Sequence, residues 1–321
     1  MHRSLLAAGA VVLTAALGAA PPAAAQIQGL EIVVPAAPGG GWDQTGRAMQ
    51  SALQEDGLAS GIQVVNIPGA GGTIGLAQFV SSEEGQGNAL MTTGLVMLGA
   101  ILTNQSPVTL DQVTPIARLT GEYEAIVVPA SSDIQSLDDL IAKFKEDPQS
   151  VSWGGGSAGG TDHILVGLIA KAAGVDPSGI NYVPFAGGGE ALASILGGHV
   201  TAGVSGYQEF AGQIETGDLR PLAISSAERL DGIDVPTLKE QGVDVELTNW
   251  RGVVAPPGIS DDDKQALGDA VGQMAKGEAW QGILTERAWL DLYLPPDEFA
   301  QFLKEDTQQV ETVLKDIGLV Q

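Results

Sequence analysis

The chain has 321 residues, with 15 Lys and Arg against 39 Asp and Glu and no cysteine. A formal charge of −24 repels nucleic acid and anionic lipid headgroups, which excludes a general affinity for either, and the lack of thiols excludes disulfides, thiol catalysis and cysteine-ligated metal. Apolar residues make up 44%, too many for wholesale disorder, and the 44 glycines follow no collagen period, so they point to tight turns or close backbone approaches.

Residues 1–25 read as a secretory signal peptide. His2 and Arg3 give a basic start, residues 5–17 form an uncharged apolar run, and Pro21 to Ala25 supply small residues for cleavage after Ala25. The run is short for a membrane span. No cysteine follows it to take a lipid anchor, and a single Arg precedes it, so a twin-arginine signal is lacking. The sequence therefore predicts an exported, periplasmic protein.

Beyond residue 25, short apolar strands alternate with helical stretches. Strands are expected at 30–34, 62–67, 89–92, 125–128, 151–153, 182–185, 222–224 and 253–254. Helices are expected at 44–53, 73–79, 137–144, 162–173, 190–196, 261–274 and 297–317. In the helix at 162–173, Ile164, Leu165, Leu168, Ile169 and Ala172 share one face, and Gly174 stands where a C-cap belongs. Such alternation predicts an α/β protein with mostly parallel sheets. No repeat or low-complexity linker interrupts it.

The glycines fall where strands are expected to end. Gly39, Gly40 and Gly41 follow the first strand. Gly69, Gly71 and Gly72 follow the second. Gly154 to Gly156, Ser157, Gly159 and Gly160 follow the strand at 151–153, and Gly187 to Gly189 the strand at 182–185. Carboxyl ends of strands in α/β folds are where ligands bind, and a loop that opens a helix there offers backbone N–H groups at the positive end of the helix dipole. That arrangement holds an anion without a cationic side chain. Nucleotide phosphates do not fit, because no Gly-Lys pair exists and the first loop departs from G-x-G-x-x-G. Gly155-Gly156-Ser157-Ala158-Gly159 does match G-x-S-x-G, so an exported serine hydrolase using Ser157 is the enzymatic alternative. The positions of His163 and His199 argue against it, since neither falls late in the chain. No cofactor and no metal cluster is expected.

The same loops carry a resemblance. Pro38-Gly39-Gly40-Gly41-Trp42-Asp43 with Arg47, then Asn66-Ile67-Pro68-Gly69-Ala70-Gly71-Gly72, then Trp153-Gly154-Gly155-Gly156-Ser157 with His163, then Tyr182-Val183-Pro184-Phe185 with Gly187 to Glu190 and His199 stand in order. Leu219-Arg220-Pro221, Val235-Pro236-Thr237 and Trp250-Arg251-Gly252 follow. Together they resemble the substrate-binding proteins of tripartite tricarboxylate transporters, the Bug/TctC family. The resemblance implies a two-lobed periplasmic-binding-protein fold of type II-like form, with two crossing segments, here near 123–128 and 222–226. One lobe would combine 26–125 and 227–321, and the other would hold 126–226. It also implies a monomer that is not an enzyme, and that passes a tricarboxylate- or dicarboxylate-like solute to a membrane permease of one large and one small subunit.

On this reading a ligand carboxylate meets Gly40, Gly41 and Trp42, with Gly71, Gly72 and Thr73 from the same lobe. Ser157, Gly159, Gly160 and Thr161 approach from the other lobe, with Gly188 and Gly189. Thr92, Thr93 and Gly94 end a strand nearby. Asp43 either touches ligand or serves its own helix and Arg47, and Trp42 is either a core anchor or a cleft wall. Thr161 is either a helix cap or a ligand contact. Arg251 is the expected cation for a second carboxylate, or else it pairs with a nearby acid. The heavy negative charge leaves three explanations open: a salt-rich habitat, solubility, or a cationic or zwitterionic solute. A module feeding a sensor kinase is a further possibility.

Overall fold

The computed structural model describes residues 26–185 and 188–321. The expected signal peptide and Gly187 lie outside the described residues. In chain order the elements are β1 (Ile27–Gln28), β2 (Glu31–Val34), α1 (Gly41–Glu55), β3 (Ala59–Ser60), β4 (Gln63–Asn66), α2 (Thr73–Ser82), β5 (Ala89–Gly94), α3 (Leu95–Thr103), β6 (Thr114–Pro129), α4 (Leu137–Glu146) and β7 (Ser152–Gly155). They continue with α5 (Thr161–Ala173), β8 (Asn181–Pro184), α6 (Gly188–Leu196), β9 (Ala202–Gly206), α7 (Tyr207–Glu215), β10 (Leu219–Ile224), β11 (Thr248–Ala255), α8 (Asp261–Lys276), α9 (Glu278–Glu286), β12 (Leu290–Leu294) and α10 (Pro296–Asp316).

Each lobe has a parallel wing. In the first, β2 lies between β4 and β5, with Ile32 opposite Val64 and Leu90. In the second, β7 lies between β8 and β9, with Trp153 opposite Tyr182 and Ala202. The wings meet through antiparallel pairings on β6. Its residues 114–123 pair with β11, and its residues 124–127 pair with β9. β12 and β10 add to its other edge in the first and second lobe respectively. One strand is thus common to both lobes.

Period-two alternation on β6 divides the second lobe's core. Ile126 and Val128 face a cluster with Phe144, Trp153, Leu165 and Ile169, while Ala125 and Val127 face Ile195, Val200 and Phe210. Phe144 meets Trp153 edge-on at 5.4 Å between ring centroids, a favoured aromatic geometry. The first lobe's core gathers Ile32, Met49, Leu90, Val253, Trp280 and Phe299, and burying each such side chain contributes about 1.5–3 kcal/mol. The carboxyl end of α10 packs across to the second lobe, where Lys171 of α5 pairs with Asp316.

The expected helices form, and Gly174 caps α5 in the left-handed conformation at φ 74°. Four differences have physical causes. β6 runs for 16 residues where the apolar run predicts 125–128, because Arg118, Thr120, Glu122 and Glu124 break the apolar pattern and are nevertheless in the sheet. α3 has no helical period to read, because it is apolar all round, as suits a helix buried between the lobes. β9, α7, α9 and β12 also go beyond the expected elements. Finally, the segment expected to open the returning part of the first lobe stays on the second. Leu238 donates its N–H to the Ile224 carbonyl, and Leu238, Val243 and Val245 fill the second core. The return crossing therefore lies near Leu247, whose N–H binds the Ser225 carbonyl, rather than at 222–226.

Candidate functional site: the cleft between the lobes

The helices that open onto the cleft begin without a side-chain cap, unlike α4 and α8. α4 opens with a reciprocal capping box in which Ser136 and Asp139 exchange side-chain and backbone bonds, and α8 opens with Ser260 accepting the Asp263 N–H. By contrast α1, α2, α5 and α7 are preceded by Gly40, Gly72, Gly160 and Gly206, with no side-chain cap. Thr161 is therefore the first helical residue and not the cap. Its hydroxyl lies 3.2 Å from Asn249 Oδ1 across the lobe boundary. Uncapped N–H groups need a partner from outside the helix.

These ends surround a cavity of about 500 Å³. Gly40, Gly41, Trp42, Gly71 and Gly72 form one wall, with Pro35 and Pro68 at its edge, and Gly156, Ser157, Ser205 and Gly206 form the other. Trp42 is 8% exposed and packs under Gly72, where a Cβ would lie 2.8 Å from its ring. It is both core anchor and cleft wall. Gly72 holds φ at 94°, which favours glycine.

Other expected residues sit behind this lining. Asp43 is buried and fully engaged: Oδ2 accepts the Gly39 N–H at 2.8 Å and Arg47 Nε at 2.9 Å, and Oδ1 accepts Asn66 Nδ2 at 2.9 Å. Burial works to raise its pKa, but these bonds outweigh it and hold the carboxyl below its ordinary value. It shapes the first loop. Thr92 and Thr93 are buried beneath, Thr93 against Met97 Sδ. Gly94 abuts the Trp250 carbonyl and the Trp42 indole nitrogen, Thr73 closes its own turn onto the Ala70 carbonyl, and Gly159 and Gly160 lie buried at the contact between lobes. Gly188 and Gly189 begin α6, and Gly189 is not among the described residues that line the cavity.

His163 does not serve Ser157. Its Nδ1 accepts the Gly159 N–H at 3.2 Å, and its ring stacks on Tyr182 with centroids 4.0 Å apart. Burial lowers its pKa to about 4.

The floor of the cleft is acidic, and the sequence reading missed it. Glu122 on β6, Asp162 on α5 and Glu209 on α7 line the cavity, and Arg251 on β11 is the cation among its lining residues. Arg251 pairs with Glu122, and both are buried. Its guanidinium also lies 5.4 Å from the centre of the Trp289 ring. Arg251 Nη1 has no partner. Ser205 donates to Glu209. Asp162 Oδ2 accepts the Gly156 N–H at 2.6 Å. Behind them is Glu124, fully buried, with neither oxygen receiving a hydrogen bond. Burial first, then the Asp162, Glu122 and Glu209 carboxylates, push Glu124 far up. Asp162 is raised to about 7, again chiefly by burial. The two carboxyls are adjacent and can share a proton. Among the described residues, no group of three or more His, Cys, Asp and Glu side chains is placed to hold a metal ion. Glu122 and Glu124, at alternate positions just before the apolar run at 125–128 of β6, are the signal that would have located this floor.

A cleft framed by uncapped helix ends, between two lobes that share a strand, is the architecture of a solute receptor, and comparison with known proteins agrees. The family profile described as "Tripartite tricarboxylate transporter family receptor" matches residues 46–319, and the chain belongs to that family. It is a family of transporter receptors and not of enzymes, which sets the serine hydrolase alternative aside. A Cupriavidus necator relative, the UPF0065 protein in gbd 5'region, is 30% identical over 97% of this chain and 96% of its own length. Among solved structures, MatC from Rhodopseudomonas palustris with bound malate is 23% identical and has a TM-score of 0.78, covering 90% of this chain and 99% of that one. A second R. palustris protein, solved with adipate, is 24% identical with a TM-score of 0.80, covering 91% and 97%. These two share the fold. No helix among the described residues is long and apolar enough to cross a membrane.

Proposed function

We propose that this chain captures a small carboxylate in the cleft, in the periplasm after cleavage behind Ala25, and delivers it as a monomer to a membrane permease of one large and one small subunit. The observation that carries this reading is the set of glycine-capped helix ends, α1 and α2 from one lobe and α5 and α7 from the other, converging on one cavity. A carboxylate there supplies the partner that their N–H groups lack. Gly40, Gly41, Trp42, Gly71 and Gly72 would receive it from the first lobe and Ser157 from the second. The malate and adipate complexes of proteins sharing the fold support a carboxylate ligand. A ligand that touches both lobes favours the closed state and shifts the population toward it.

The test is thermal melting of the mature protein, stripped of solute by partial unfolding and refolding, against di- and tricarboxylates at matched pH and ionic strength. A ligand at 100 times its Kd should add about 2.7 kcal/mol, a shift of several degrees. No shift with any acid would sink the reading.

A further inference from the structure

The charge of the cleft floor does not suit a solute that is only an anion. Glu122, Asp162 and Glu209 line it, Glu124 backs it, and Arg251 offsets one of these four carboxyls by pairing with Glu122 through Nη2 while its Nη1 stays without a partner. Glu286 and Arg287 line a smaller cavity that continues past the Arg251–Glu122 pair, and they add one charge of each sign. Arg287 is also engaged, donating from Nη1 to Gln44 Oε1 at 2.9 Å. A second carboxylate placed on this floor would meet like charge in a poorly solvated site, which is strongly unfavourable.

The floor is also short of donors, with Arg251 Nη1 the one unpartnered buried side-chain donor among its described lining residues. Both oxygens of Glu124 are buried without one, and Asp162 receives a single backbone N–H. Buried acceptors without donors are costly, and they are the reason that the Glu124–Asp162 pair is left to hold a proton. A metal ion is a poor candidate, given that no ligating group is assembled among the described residues. A quaternary ammonium brings charge but no N–H. A primary ammonium or guanidinium brings both.

We infer that the solute is an amino-carboxylate, whose carboxylate sits at the glycine-capped helix ends and whose N–H-bearing cation rests on Glu122, Asp162 and Glu209. This rests on the carboxylate reading above and names the class within it. It carries a consequence for protons. A cation on the floor favours the ionised form of Asp162 and Glu124, so binding releases the shared proton. A plain dicarboxylate would have the opposite effect and take a proton up.

The experiment compares matched acids by calorimetry on the stripped full-length mature protein: succinate with aspartate, glutarate with glutamate, adipate with 2-aminoadipate, and the ω-amino acids of the same lengths. Runs near pH 7 in buffers of different ionisation enthalpy give the proton count. The expected result is an amino member binding at least about tenfold more tightly than its plain partner, with proton release. Asp162→Asn should shrink or invert that ratio, weakening the amino acid and strengthening the plain acid. Glu209→Gln, at a half-buried site, should move it the same way and serves if the first variant fails to fold. A plain diacid that binds as tightly as every amino partner, or with proton uptake, overturns the inference and leaves the carboxylate reading standing. Stabilisation by sodium, calcium or magnesium chloride alone, with no difference between amino and plain acids, also overturns it. If no acid of either kind binds, both readings fall.

Discussion

The guanidinium of Arg251 lies against the backbone of Gly41, so that a Cβ at residue 41 would fall well inside contact with Nη2. Gly41 is the first residue of α1, and its ordinary helical backbone would accept alanine. Glycine is required there by the neighbour and not by φ. The other half of the ion pair has the same relation to its surroundings: a Cβ on Gly206 would lie 2.5 Å from the Glu122 carboxylate carbon. A buried pair wedged between two glycines is fixed from both lobes.

Gly41→Ala should therefore separate Arg251 from Glu122 despite alanine's better helix propensity, worth about 1 kcal/mol in a helix interior. Breaking a buried ion pair costs about 3–5 kcal/mol when one charge is stranded, so a net loss of roughly 1–3 kcal/mol is expected after partial relaxation. Chemical denaturation measures it. A variant as stable as the parent would show that the pair contributes nothing.

Lobe closure has its own glycine contact. A Cβ at Gly99 of α3 would run into the carbonyl oxygen of Gly159 in the opposite lobe. Gly99→Val should leave each lobe folded while holding them apart. Small-angle scattering should then report the same larger radius of gyration with and without ligand, and affinity should fall by about tenfold or more. Closure equal to the parent's would contradict the contact.

Asp43 is a test of structural rather than direct roles. Asp43→Ala strands the Gly39 N–H, Arg47 and Asn66 together, and a loss of about 2–3 kcal/mol is expected from charged hydrogen bonds of this kind. Asp43→Asn should recover part of the stability. If instead the alanine variant melts normally and only ligand affinity drops, Asp43 touches the solute.

The acidic floor sets a pH dependence. Asp162 is raised to about 7 in the folded protein, chiefly by burial, and Glu124 is raised further. An unfolded aspartate titrates near 4, so between roughly pH 4 and 7 the folded state holds more protons and stability falls as pH rises. His163 works in the opposite direction. Burial depresses its pKa to about 4, so its contribution is lost as pH falls from about 6.5 toward 4. The two are separable by difference. For stripped protein, the melting temperature of Asp162→Asn relative to the parent should rise steadily from pH 5 to pH 7.5. A flat difference would mean that Asp162 is not buried as described.

The glycine loops were legible because their signal is local. A strand end, a run of glycine and a helix start lie next to each other in the chain, so Gly40, Gly41, Gly71, Gly72 and Ser157 were named from sequence and all line the cavity. Glu122, Asp162, Glu209 and Arg251 come from four separate elements, and only the shared strand and the closed lobes bring them together. Arg251 was legible as a cation but its partner was not. Thr92 and Thr93 misled because a strand end near a cleft need not open into it; both are covered by their own lobe. The return crossing was misplaced for a similar reason. Val235 to Val245 carry no strong period, and what holds them on the second lobe is a set of backbone bonds to Ile224 and its neighbours.

The uncapped helix ends have a cost that falls on the empty protein. Ser or Asp at such a position stabilises a helix by about 1 kcal/mol, and α1, α2, α5 and α7 forgo it. The first turns of those helices are where the unoccupied receptor should fray, and frayed backbone is what proteases cut. A solute bound at these ends would protect the receptor from that cleavage. The standing amount of receptor would then follow the supply of the solute proposed for it.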